Sequence, residues 1–113
     1  MKTVTLQVAS LDDVKARARA AFRGHRQGTR ITFASPELLF KLMTARRWEI
    51  IRTMTGAGPL TIREVARRVG RDVKAVHGDV HALLGCGVLH KTEAGKIVFP
   101  FDAVRVDVTL RAA

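Results

Sequence analysis

The sequence predicts an α+β fold in which three helices and a basic hairpin form the core and shorter strands lie near both ends of the chain. Two observations lead to this prediction. Apolar residues recur at helical spacing through the middle of the chain, whereas apolar and polar residues alternate near both termini. With 113 residues, the chain is long enough for one compact core with an appendage and short for two ordinary domains.

A helix is predicted to begin after Thr61. The Thr61 hydroxyl is expected to cap this helix, and Glu64, three residues later, is expected to close a capping box. Gly70 follows at a position where a left-handed residue would end the helix. The apolar residues of the segment fall on one helical face: Ile62, Val65, Ala66 and Val69. A short, sharp turn is therefore expected before the next helix.

The next helix is predicted over about residues 72 to 84, with Asp72 as its N-cap. Its inward face is an apolar stripe that consists of Val73, Val76, Val80, Leu83 and Leu84. Its outward face is small and basic and consists of Lys74, Ala75, His77, Gly78, His81 and Ala82. An outward face of this kind fits the major groove of DNA.

A basic hairpin is predicted over about residues 88 to 99. Its strand residues are Val88 and Leu89 before the turn, and Ile97, Val98 and Phe99 after it. Lys91 and Lys96 flank the tip, where a wing would touch the phosphate backbone. Helix, helix and basic hairpin in this order are typical of a winged helix-turn-helix. The segment from Thr44 to Met54 supplies the remaining helix of that core.

Three further strands are predicted outside the core, at about residues 3–8, 30–33 and 104–110. A helix is predicted over residues 11–22, and a short helix that starts at Ser35 leads into the core. We therefore divide the chain into a strand-helix-strand extension, residues 1–34, and a winged helix-turn-helix domain with a C-terminal strand, residues 35–113. The extension is a candidate for dimerisation or partner binding. The three strands are expected to form one small sheet, closed within one chain or completed across a homodimer.

The composition predicts a polyanionic partner. The chain has 20 lysine and arginine residues against 10 aspartate and glutamate residues, which gives a net charge of +10. An excess of this size is typical of nucleic-acid binding. Cys86 is the single cysteine, which excludes an internal disulfide and fits a reducing cytoplasm. No segment suits a membrane span or a signal peptide, so we expect a cytoplasmic, nucleoid-associated protein without membrane contact.

The sequence lacks the motifs of an enzyme. It contains no nucleophile elbow, zinc-protease motif, phosphate-binding glycine loop or paired carboxylate cluster, and it contains no tyrosine. We therefore expect no catalytic activity and no cofactor. The nearest constellation is His77 and His81 with Cys86 and His90 downstream, which would suit a metal-responsive repressor. Because two histidines on a DNA-binding face need no metal to explain them, no metal site is predicted.

Three segments carry a family resemblance: SPELLFKLMTARRWEIIRTM, GPLTIREVARRVGRDVKAVHGDVHALLGCGVL and IVFPFDAVRVDVTL. In this order they are similar to the prokaryotic winged-helix DNA-binding proteins related to the MarR group, over about residues 35 to 110. The most specific part is GRDVKAVHGDVHAL followed by FDAVRVDV. The resemblance implies sequence-specific DNA binding, autoregulation and, since some members are antitoxins, a toxin partner. The chain departs from the family pattern at Gly78, where a larger polar or basic residue is common.

The candidate base contacts are Lys74, His77 and His81, because spacings of three and four residues place them on one side of the helix. Lysine donates well to guanine, and either histidine can donate to a base acceptor. The alternative is that His77 packs at the helix edge and only Lys74 meets DNA. Ala75 and Gly78 lie on the same face. The candidate phosphate contacts are Arg63, Arg71, Lys91 and Lys96.

Asp79 is predicted to point away from DNA and to pair with Arg67 or Arg68, which would fix the angle between the two helices. A second basic region lies in the extension and consists of Lys15, Arg17, Arg19, Arg23, Arg26 and Arg30. This region suits an extended DNA contact or an acidic protein partner such as a toxin, which we slightly favour over plain solvent exposure of a helix face.

The resulting hypothesis is a sequence-specific regulator of transcription that binds double-stranded DNA as a homodimer. The alternative is a winged-helix protein-interaction module that neutralises a toxin partner without specific DNA recognition. Winged-helix modules that no longer bind DNA tend to carry acidic or apolar residues on the outward face of this helix. This chain carries Lys74, His77 and His81 there, which favours the DNA-binding hypothesis.

Overall fold

The computed structural model describes residues 1–8, 15, 19 and 28–110. The described residues combine helices with two small sheets, so the predicted α+β class is confirmed. In chain order the elements are β1 (Thr3–Val8), β2 (Thr29–Phe33), α1 (Pro36–Leu42), α2 (Ala45–Met54), α3 (Ile62–Val69), α4 (Val73–Cys86), β3 (His90–Lys91), β4 (Ile97–Val98) and β5 (Ala103–Asp107). Of these helices, none combines the length and the apolarity that a membrane crossing needs.

Side-chain caps define the starts of the helices. The capping side chains of α1 to α4 are, in order, Ser35, Thr44, Thr61 and Asp72, and each accepts a backbone N–H of the first turn. Gly70 ends α3 and Gly87 ends α4, with left-handed φ values of 68° and 90°. The predicted capping box at Thr61 is wrong in its second half. The carboxylate of Glu64 binds two arginines of its own helix instead of reaching back to the cap.

Helices α2, α3 and α4 pack around one apolar core. Their buried side chains are Ile50, Ile51, Met54, Val65, Ala66, Val76, Val80 and Leu83. The predicted stripe of α4 is wrong at Val73, which is 42% exposed because it is the first residue of the helix and lies beside the capping residue. Leu84 is only partly buried. The packed face of α4 therefore begins at Val76.

The hairpin that follows α4 is shorter than predicted. In it, His90 lies opposite Val98 in an antiparallel pair. Val88 and Leu89 are buried in the turn before β3, where both backbone N–H groups donate to the carbonyl of Leu83. The prediction that they are strand residues is wrong, because their backbone N–H groups cap the carboxyl end of α4 and cannot pair with another strand. Phe99, predicted within the second strand, lies just after β4 and packs in the core.

The terminal strands form one small sheet, as predicted, and its three strands belong to the same chain and run parallel to one another. Its order is β2-β1-β5, with Leu6 of the central strand opposite Ile31 on one side and Val106 on the other. The last strand ends at Asp107, so the predicted continuation to residue 110 is wrong. The helix predicted over residues 11–22 lies outside the described residues, apart from Lys15 and Arg19, which are helical and exposed.

The sheet belongs to the same hydrophobic core as the helices. Val4 and Leu6 of β1 are fully buried and cluster with the apolar residues of α1 to α4. On the other face of β1, the buried Gln7 donates to the hydroxyl of Thr32 and accepts from Arg30. The central strand of the sheet thus joins the predicted extension to the last strand of the chain.

Candidate nucleic-acid interface

The outward face of α4 carries the predicted base contacts. Lys74, Ala75, His77, Gly78 and His81 are all exposed. The imidazole rings of His77 and His81 stack with their centroids 4.1 Å apart and their planes tilted by 36°. The two histidines thus form one ridge along the exposed side of the helix, one turn beyond Lys74.

An open notch interrupts this face at Gly78. A Cβ atom built on Gly78 would meet nothing within 4 Å, since no neighbouring element covers that part of the helix. The glycine exposes the helix backbone beside the histidine ridge. The lack of a side chain at Gly78 therefore leaves room for a ligand to approach the backbone of α4 closely.

Asp79 lies on the side of α4 that faces α2, and its carboxylate holds two arginines. Its Oδ1 accepts from Nε of Arg47 at 3.0 Å, and its Oδ2 lies 2.9 Å from Nη1 of Arg71. Arg47 also donates to the carbonyl of Leu42 at 2.8 Å. This cluster connects the end of α1, the start of α2 and the turn before α4, so it fixes the position of α4 on the core.

The prediction that Asp79 pairs with Arg67 or Arg68, and so fixes the angle between α3 and α4, is wrong in its partners, since the carboxylate connects α4 to α2 and to the turn before α4. Asp79 faces α2 and the Gly70-Arg71 turn, whereas Arg67 and Arg68 both bind Glu64 on α3. Burial alone would raise the pKa of Asp79, but the hydrogen bond from Arg47 and the contact with Arg71 outweigh it and hold the pKa below its usual value.

Arg71 occupies a different place from the exposed phosphate contact that was predicted. Its side chain is only 14% exposed, and its guanidinium lies against Asp79. An arginine held in this way positions the start of α4, immediately before the capping residue Asp72. Its charge is largely neutralised by the carboxylate.

The other predicted phosphate contacts are exposed. Arg63 lies in the first turn of α3, and Lys91 and Lys96 lie on either side of the hairpin tip. The tip is held by two bonds between Thr92 and Lys96: the backbone N–H of Thr92 donates to the Lys96 carbonyl at 2.8 Å, and the backbone N–H of Lys96 donates to Oγ1 of Thr92 at 3.1 Å. The side chains of both lysines are left in solvent.

A compact charge cluster covers the outer side of α3. Arg67 and Arg68 both bind the carboxylate of Glu64, one turn earlier on the same helix. The hydrogen bonds from Arg67 and then Arg68 lower the pKa of Glu64 to about 2. The side chain of Arg67 is 72% exposed, so the cluster still presents positive charge to solvent.

The four histidine and cysteine residues considered for a metal site do not form one cluster, because only His77 and His81 lie side by side. His90 packs its ring edge-on against Phe101, with centroids 5.9 Å apart. Cys86 donates its thiol to the carbonyl of Leu83 at 3.4 Å. Across the part of the chain that the structure describes, no group of three or more histidine, cysteine or carboxylate side chains is placed to hold a metal ion.

Sequence reasoning missed Arg47 as the main partner of Asp79. The only signal for it was a single carboxylate within an otherwise basic helix, and the sequence offers too many arginines to choose among them. It also missed an apolar groove of about 480 Å³. The groove is lined by Phe33, Leu38, Lys41, Leu42, Arg47 and Cys86.

One family model, HVO_A0114, matches residues 42–106, which is more than half of the chain. The chain belongs to the HVO_A0114 family. The matched segment runs from the last residue of α1 into β5 and therefore contains α2 to α4 and the hairpin. No curated protein and no solved structure matches the chain.

Proposed function

We propose that this member of the HVO_A0114 family is a sequence-specific, double-stranded DNA-binding regulator of transcription with a winged helix-turn-helix core. Helix α4 is the recognition helix and enters the major groove, and the β3–β4 hairpin is the wing on the phosphate backbone. The order of α2, α3, α4 and hairpin supports this proposal, as does the short turn at Gly70 and Arg71 between α3 and α4.

The charge distribution on α4 is the observation that carries the proposal. Its exposed face presents Lys74, His77 and His81, which are hydrogen-bond donors or can become so. The one carboxylate within the helix, Asp79, is turned towards α2 and neutralised by Arg47 and Arg71. A helix face that presents donors, and whose internal carboxylate is turned inward and neutralised, is complementary to base edges that lie between phosphates.

The exposed basic side chains have two proposed roles. Lys74, in the first turn of α4, and the His77–His81 ridge, one turn later, read base edges because they project from the exposed face of the helix. Arg63, Lys91 and Lys96 neutralise phosphates on either side of the groove. Arg71 positions α4 through Asp79 rather than contacting DNA.

Fluorescence anisotropy tests the proposal directly. The full chain is titrated against its own upstream DNA and against a scrambled duplex of equal length, at two salt concentrations. A sequence-specific regulator that controls its own gene prefers the upstream duplex by about a thousandfold. Equal affinity for both duplexes, with a steep salt dependence, would mean that only charge is read and would overturn the proposal.

The apolar groove favours a second candidate function, protein binding without specific DNA recognition, as in an antitoxin. Leu38 is 50% exposed on the rim of this groove, so a large apolar side chain adjoins the apolar surface of Phe33 and Leu42 and is open to a partner. Under this alternative, the product of an adjacent gene copurifies with the chain, and Leu38→Asp abolishes that association. The Lys74→Ala variant would leave it unchanged.

A further inference from the structure

Strand β5 presents an open edge. It lies at one side of the parallel sheet, and no other strand of the described residues pairs with its outer side. The backbone N–H of Ala103 donates inward, to the carbonyl of Lys2. Because alternate residues of a parallel strand direct both backbone groups to the same neighbour, Val104 and Val106 direct theirs outward. Such an edge is a template for another strand.

The side chains of β5 are self-complementary. Arg105 and Asp107 are exposed and project from one face of the sheet, whereas Val104 and Val106 project from the other. Val106 is 42% exposed, although it lies opposite the fully buried Leu6 of β1. The edge therefore offers one cation, one anion and an apolar contact within five residues.

We propose that the chain forms a homodimer through β5, in which the β5 strands of two copies pair antiparallel about a two-fold axis at Val106. In this register Arg105 of each copy lies opposite Asp107 of the other, so symmetry creates two ion pairs. Val106 meets its own counterpart on the apolar face. The two three-stranded sheets become one continuous six-stranded sheet.

The charges select this register over its neighbours. A two-fold axis at Arg105 or at Asp107 would place like charges directly opposite one another, which is unfavourable. An axis at Val104 would leave Arg105 opposite Ala103. Only the axis at Val106 places Arg105 and Asp107 each opposite a residue of opposite charge. In this register the outward backbone groups of Val106 also form a hydrogen-bonded pair with those of Val106 in the other copy.

The other edge of the sheet, β2, lacks this complementarity. An axis at Ile31 would place Arg30 opposite Thr32, with no anion available. The guanidinium of Arg30 already donates to Gln7 at 2.7 Å, and the same glutamine donates to Thr32. The second copy is therefore assigned to β5 and not to β2.

Charge exchange at two positions tests the proposal, with sedimentation equilibrium of the full chain as the measurement. The parent chain is expected to be a dimer. Arg105→Asp and Asp107→Arg each convert two attractive pairs into two repulsive ones, so each variant alone dissociates at least about tenfold more readily. An equimolar mixture of the two variants restores opposite charges across the axis and forms a heterodimer. The double variant restores the homodimer.

Two controls keep the result interpretable. Arg46→Asp, at an exposed position in the first turn of α2, changes net charge as Arg105→Asp does and is expected to leave the dimer intact. Val106→Pro removes an outward N–H without breaking the ladder to β1 and is expected to give a folded monomer, with folding followed by circular dichroism.

A monomeric parent chain, or a dimer that survives both single charge variants, overturns the proposal. Failure to form the heterodimer on mixing also contradicts the proposed register. The measurement contains no DNA, so its failure leaves the proposed function unaffected, and loss of specific DNA binding would likewise leave the dimer standing.

Discussion

The helical part of the molecule, α2 to α4 with the hairpin, and the terminal sheet differ in how they are specified. Each helix carries its own start signal within four residues, such as Thr61 for α3 and Asp72 for α4. The sheet depends on pairing between residues about a hundred positions apart, such as Thr3 with Ala103. The comparison indicates that one region is built from local signals and the other from long-range contacts, yet both share one buried core.

The strongest test of this shared core truncates one fully buried leucine in each region. Leu6→Ala in β1 and Leu83→Ala in α4 are each expected to lower the free energy of unfolding by about 3 kcal/mol, because both side chains are fully buried. Since both belong to one cluster, urea denaturation should show a single transition for each variant.

Leu110→Ala is the matched control, because Leu110 is 94% exposed and its truncation should leave stability unchanged. Two separate transitions for the Leu6→Ala variant would mean that the sheet and the helices unfold independently. That outcome would favour a division of the chain near residue 35 over one cooperative unit.

The same contrast explains what could be predicted from the sequence. Caps and left-handed glycines depend on neighbouring residues, so Ser35, Asp72 and Gly70 were predicted correctly. The alternating pattern also predicted that the terminal strands share a sheet. Strand order and parallel direction depend on contacts that alternation does not encode, because every amphipathic strand has the same period.

The candidate site likewise has a part that the sequence predicted and a part that it did not. Helical periodicity was sufficient to place Lys74 and the two histidines on the exposed face of α4. It did not identify the partners of Asp79, since fourteen arginines compete for a single carboxylate. The choice of Arg47 and Arg71 follows from how α2 crosses α4, which is set by packing of the whole core.

Removal of the Asp79 carboxylate is expected to have the next largest effect. Asp79→Ala leaves Arg47 and Arg71 partly buried and without their anion, so the free energy of unfolding should fall by about 2 kcal/mol. Chemical denaturation measures this loss. Glu93→Ala, at an exposed position in the hairpin turn, is the matched control and should change stability by less than about 0.5 kcal/mol.

The pH dependence of the free energy of unfolding is a second test of the contribution of Asp79. Because the folded pKa of Asp79 is lowered from 3.8, its stabilisation is fully present above that pH and is lost as the pH falls through the folded pKa. The Asp79→Ala variant should lose less stability on acidification than the parent chain. Equal loss in both would show that other carboxylates, such as Glu64, account for acid sensitivity.

Truncation of Lys74 tests whether the exposed face of α4 contributes to sequence-specific DNA binding. If Lys74 reads a base, Lys74→Ala weakens binding to the specific duplex by about 1 to 3 kcal/mol and affects the scrambled duplex less. Lys41→Ala, which removes an exposed lysine from α1, should lower the affinity for both duplexes slightly and to the same extent. An equal loss of affinity for both duplexes in the Lys74→Ala variant would mean that Lys74 contacts a phosphate and does not read a base.

The smallest expected effect concerns two exposed glycines on α4, Gly78 and Gly85. A Cβ on either would meet nothing within 4 Å, so alanine at each position should raise the free energy of unfolding by about 0.5 to 1 kcal/mol. Only Gly78 lies beside the histidine ridge of the proposed interface. If DNA approaches the backbone there, Gly78→Ala weakens specific binding while Gly85→Ala does not, although both stabilise the free protein. Equal DNA affinity in the two variants would mean that the notch at Gly78 is outside the contact, and it would move the interface towards Lys74 and the start of the helix.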